Sequence, residues 1–68
     1  MEKLEHLYAR VFSTTAGAEV LEHLRKITIE RFLGANASDA ELRTLEGARA
    51  LVHQIEQLVR RGRENAKA

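Results

Sequence analysis

Three histidines, His6, His23 and His53, are the residues best suited to hold a metal, and two have a glutamate four residues earlier: Glu2 before His6 and Glu19 before His23. Metal sites in helical bundles need several ligands converging from different helices, typically with Glu-x-x-His spacing. The residues three before the histidines are Lys3, Val20 and Ala50, so that spacing is absent. The expectation is surface or boundary histidines, with no metal and no cofactor. Nucleophile-elbow, glycine-rich phosphate-loop and His-Glu-x-x-His patterns are also missing. Glu19 and Glu22 are accounted for by solvation and the helix dipole. The chain therefore reads as a protein that is not an enzyme.

Two other stretches could make contacts. Arg60, Arg61, Arg63 and Lys67 make the last residues basic, opposed only by Glu64. Such a cluster suits either phosphate contact by an end arm or the negative end of a helix dipole. No aromatic interleaves these charges, so nucleic-acid contact through Arg60, Arg61 and Arg63 is the lesser reading. Helix-turn-helix recognition is disfavoured because Asp39 and Glu41 would point at phosphates. The second stretch is Glu46-Gly47-Ala48-Arg49-Ala50. Glycine inside a helix costs about 1 kcal/mol relative to alanine, which usually marks a packing demand. Two readings follow: a tight crossing with the first helix, or a partner contact. Glu46 and Arg49, three apart, can pair with each other or with the neighbouring element.

The elements that must position these residues are helical. Leu4, Leu7, Tyr8, Val11 and Phe12 recur with helical spacing and predict an apolar-faced helix over 3–12, with Glu2 and Glu5 in its first turn. Ser13-Thr14-Thr15 interrupts it, and Thr14 is the expected N-cap of a second helix over 15–33, with Thr15 at N1 and Gly17 at N3. Val20, Leu21, Leu24 and Ile27 form its stripe, broadened by Ile29, Phe32 and Leu33. Gly34 is the expected C′ residue. Ser38 and Glu41 form a capping box that opens a third helix over 39–61. Its seam is Leu45, Ala48, Val52, Ile55 and Val59, flanked by Leu42, Leu51 and Leu58. Residues 63–68 read as a frayed polar tail after a single domain over 1–62.

The fold class expected is all-α: a short N-terminal helix followed by a long antiparallel helical hairpin. Sixty-eight residues have room for one small core. The absence of Cys excludes disulfides and thiolate metal sites. Lys and Arg number 11 against 10 Asp and Glu, a balance unlike that of a histone-like DNA binder or an acidic tail. With 44% hydrophobic residues the chain is not intrinsically disordered. No apolar run approaches the ~18 residues of a membrane span, and a soluble cytosolic protein is expected. A two-helix hairpin has two open sides, and the first helix covers only part of one. The broad stripes therefore predict a core completed by dimerisation, with Gly47, Ala48, Arg49, Val52, Ile55, Phe32 and Leu33 at an oligomer or partner interface.

Two blocks in order, Val11-Phe12-Ser13-Thr14 with Gly17, Val20 and Leu21, then Glu46-Gly47-x-Arg49 with Leu51 and Ile55, carry a resemblance over residues 8–58. The chain is similar to a family of small helical proteins of tailed bacteriophages and prophages with the patterns Val-Phe-x-Thr-x-x-Gly-x-x-Val-Leu and Glu-Gly-x-Arg. That family often has Pro after the Thr, where Thr15 stands here; Pro would suit the same N1 position. The resemblance implies a phage origin, and genes lying among those for virion assembly. A non-enzymatic accessory protein follows, acting by protein–protein binding as a small virion or assembly component. An inhibitor of a host defence or regulatory protein and a nucleic-acid-binding packaging protein are the alternatives. The expected partners are a second copy of the chain and a phage structural or host protein, in the host cytoplasm or on the virion.

Overall fold

A computed structural model describes the backbone of residues 2–67 and the side chains of residues 4–65. Three helices, α1 (Glu2–Phe12), α2 (Thr15–Ile27) and α3 (Asp39–Lys67), make up all the regular structure among the described residues. The all-α class with three helices is as the sequence patterning implies. At 1.5 Å per residue a 29-residue helix spans ~43 Å, close to the 47 Å long axis of the molecule. α3 is thus a spine to which the rest is attached. The radius of gyration is 14.3 Å, against ~11 Å for a compact chain of this length.

The hairpin of long helices is corrected. α2 stops at Ile27, six residues short of the expected end. Thr28 turns the backbone to φ −124°, ψ −75°, donates its hydroxyl to the Leu24 carbonyl at 2.6 Å, and donates its amide to Arg25 O. A β-branched residue whose hydroxyl competes for the backbone is a poor continuation of a helix, and Ile29 follows it. Gly34 is accordingly not the C′ residue. Its carbonyl accepts from Ala37 N at 3.0 Å in a turn further on, and no glycine among the described residues has positive φ.

The first helix, expected to be a minor arm, is the principal packing partner of α3, while α2 touches α3 lightly and buries no residue of its own. Gly62 explains the exchange of roles. A Cβ there would overlap the Glu5 carbonyl and lie 2.6 Å from Ala9 Cβ, so the two helix backbones meet where neither has bulk. α1 docks by its Glu5–Ala9 edge, and its apolar residues Leu4, Leu7 and Val11 stay exposed. The end of α3 is held by that docking: Asn65 donates to Glu5 Oε1 at 3.2 Å, and Arg63 Nε donates to Ser13 Oγ at 3.0 Å. The expected frayed tail is therefore helical to Lys67; Ala68, its last residue, lies outside the described residues, as does the Glu2 carboxylate.

The seam of α3 follows the sequence pattern closely. Leu45, Val52 and Val59, seven residues apart, are buried, and Ala48 and Ile55 are half-buried between them. With Ala9 they are the whole buried apolar core among the described residues, and no large side chain there is fully buried. Both N-caps also stand where expected. Thr14 Oγ1 accepts from Gly17 N at 2.9 Å; Ser38 Oγ accepts from Glu41 N at 3.1 Å while Ser38 N donates back to the Glu41 carboxylate.

Candidate functional site

The two sequence blocks become two fastenings. At the first, the chain turns from α1 into α2 around one hydroxyl. Thr14 Oγ1 donates to the Val11 carbonyl at 2.9 Å and accepts from Gly17 N. Gly17 lies so close to α1 that a Cβ would overlap the Val11 carbonyl oxygen. The spacing Val11-x-x-Thr14-x-x-Gly17 is thus the geometry of a tight helix–helix corner: a carbonyl, a hydroxyl and an amide three residues apart, with no room for a side chain at the third.

The second fastening is Arg49. Its Nε donates to Thr28 O at 2.9 Å, its Nη2 to Arg31 O at 2.7 Å, and its Nη1 to the Glu46 carboxylate at 2.6 Å. Glu46 orients the guanidinium from one turn away, and the other two nitrogens hold carbonyls at and beyond the end of α2. A cation suits that end of the helix dipole, and a planar fork whose donors are spread over three nitrogens in fixed directions reaches acceptors set apart on different segments, where an ammonium's three donors radiate from one nitrogen on a flexible stem. Arg25 completes the attachment of α2 with Nη1 at 2.8 and 2.9 Å from the two carboxylate oxygens of Glu56.

The segment so held carries the most exposed large apolar side chain of the described residues. Phe32 is 96% exposed. It stands beside an open hollow lined with Leu33, Leu42 and Leu45, with Arg31 and Arg49 at its edge. On the other side of Arg31, an open groove of about 490 Å³ runs between Ile27 and Thr28 and the α3 residues Ala40, Thr44, Leu45 and Ala48.

Of the expected interface residues, Phe32, Leu33 and Arg49 border one hollow, and the others are not among its lining. Phe32 and Leu33 sit on the held segment, and Gly47 faces open space, with nothing within 4 Å of a Cβ placed on it. Gly47 therefore does not mark a crossing with α1; Gly62 does. Val52 is buried in the chain's own core at 4% exposure, Ile55 and Ala48 are half-buried, and Arg49 is engaged with its own chain. Arg60, Arg61 and Arg63 are all exposed; Arg63 binds Ser13 and Arg61 lies 3.9 Å from Glu5, both drawn toward α1. The Lys67 side chain lies outside the described residues. His53 contacts Gln57 at 3.2 Å, and no three metal-binding side chains converge among the described residues.

Sequence reasoning did pair Glu46 with Arg49. It missed the carbonyls that Arg49 reaches 18 and 21 residues back, because nothing local says which segment will lie opposite. It also missed Gly62, although a glycine three residues beyond Val59 falls beside the buried seam and was a usable signal.

Replacing Arg49 by lysine keeps the charge and loses the fork. The expected result is amide exchange in residues 29–34 about tenfold faster, the equivalent of losing one charge-assisted hydrogen bond of about 1.5 kcal/mol, with the helices nearly as stable as before. Hydrogen–deuterium exchange reads this directly.

A helical spine, a helix seated on its end and a shorter one tied to its middle define a small all-α protein with two sequence-encoded fastenings. No helix among the described residues is long and apolar enough to cross a membrane. The chain belongs to the Bbp19-like phage protein family, which matches residues 8–65 and so takes in both fastenings and Gly62. No curated protein and no solved structure matches it.

Proposed function

We propose that this phage protein acts by binding, without catalysis, as a small component of the virion or of its assembly, and that Phe32 is the anchor it offers to a phage structural protein. The supporting observation is a phenylalanine held almost wholly in water on a segment that Arg49 fastens in place. With the neighbouring backbone already held, less conformational freedom is lost when a partner covers the ring, which is how pre-organised hot-spot anchors gain affinity. Leu33 and Leu42 flank the hollow beside it and extend the apolar contact.

The test compares tagged wild-type protein with Phe32→Ala in phage-producing cells, followed by separation of particles from free protein. Wild type is expected with virions or assembly intermediates. Phe32→Ala, which removes an exposed side chain, is expected to keep its unfolding midpoint and to bind particles at least about 30-fold more weakly, from the ~2 kcal/mol of burial forgone. Wild type absent from every particle fraction overturns the reading. Capture of a single host protein in its place would support a host-directed inhibitor instead.

A further inference from the structure

We propose that α1 pairs with the α1 of a second copy of this chain through the seam Leu4, Leu7 and Val11. These apolar side chains are 41%, 39% and 55% exposed. The spacing of three and then four is that of a helix-pairing seam. The hollow beside them, bounded by Leu7, Tyr8, Val11 and Phe12, has an apolar lining, floored by the stacked rings of Tyr8 and Phe12 with centroids 6.2 Å apart.

Three observations select a second copy. The seam is nearly symmetric about Leu7, so an antiparallel pair sets Leu7 against its own copy and Leu4 against Val11, the self-complementarity that an isologous contact requires. The chain exposes 5331 Å², about 1000 Å² more than a compact protein of its mass, and a stable interface hides about 800 Å² on each partner. The formal charge is +1, so two copies meet without strong net repulsion. The surface lies on a different element from Phe32, and the inference does not rest on the virion reading.

Sedimentation equilibrium of the full chain, from low micromolar to near-millimolar concentration, tests it. The mass is expected to double with concentration, and Leu7→Glu to shift that transition to at least about tenfold higher concentration with helical content retained. Because the chain has no cysteine, Leu7→Cys is expected to oxidise to a covalent dimer across the two-fold and Leu51→Cys to stay single; this readout stands even if Leu7→Glu fails to fold. Phe32→Ala is expected to dimerise as wild type does, which separates this contact from the phage partner's. A single-chain mass at every concentration, a dimer indifferent to Leu7→Glu, or cross-linking through Leu51→Cys and not Leu7→Cys overturns the proposal.

Discussion

Gly62→Ala is expected to lower the unfolding midpoint by about 10 °C, a loss of ~2 kcal/mol in a domain of this size. The added methyl would meet the Glu5 carbonyl and Ala9 Cβ, both fixed parts of α1 with no rotamer to retreat into. Forcing extra volume into such a contact costs about 1–3 kcal/mol and occasionally more; against fixed backbone the cost is at the top of that range, about 3 kcal/mol, and the better helix former returns roughly 1 kcal/mol of it. The helix must back away from its spine, carrying with it the Glu5–Asn65 and Ser13–Arg63 contacts. Gly47→Ala supplies the control on the same helix. With nothing within 4 Å of the new methyl, only the propensity gain remains, and the midpoint of the single chain should rise by about 5 °C. Thermal melts of both variants at low concentration decide the matter; two shifts of the same sign would contradict the packing described.

Gly17→Ala should be nearly as damaging, by about 2 kcal/mol, at the other end of α1. Its methyl would take the place occupied by the Val11 carbonyl oxygen and crowd Thr14 Oγ1 at 2.9 Å. The corner then opens and the cap of α2 goes with it. Thr14→Ala isolates the cap, and its smaller loss of about 1 kcal/mol should leave α1 seated. Circular dichroism melts rank the two, and hydrogen–deuterium exchange of the α1 amides reports whether α1 stays on α3. A larger loss for Thr14→Ala than for Gly17→Ala would show that the hydroxyl, and not the absence of a side chain, makes the corner.

The helix starts at the two caps were legible; the end of α2 was not, since Thr28 and not Gly34 terminates it. Thr14 caps because a hydroxyl before an amide three residues on needs only backbone geometry, and the same holds for Ser38 with Glu41. The seven-residue repeat of Leu45, Val52 and Val59 marked the buried stripe because a helix longer than about five turns averages out local exceptions. The family resemblance also lay in the sequence, since its two blocks are the two fastenings. Less legible was the fate of apolar residues. Leu4, Leu7 and Val11 carry a helical stripe as regular as any, yet α1 docks by a different edge. Periodicity tells that a helix has an apolar face, not that the face is the one covered.

The chain's own residues decided that it would be helical, where two of its three helices begin, and which stripe of α3 turns inward, because these follow from torsion preferences and hydrogen bonds spanning three or four residues. Only the tertiary structure decided that α1 rather than α2 would be the spine's companion, that Arg49 would hold the Thr28 and Arg31 carbonyls, and that Phe32 would be left in water. The first of these outcomes depends on where the α1 and α3 backbones can approach closely, and the others on which segment then lies opposite α3. The place of approach is Gly62, where a missing methyl matters only once another helix lies against it.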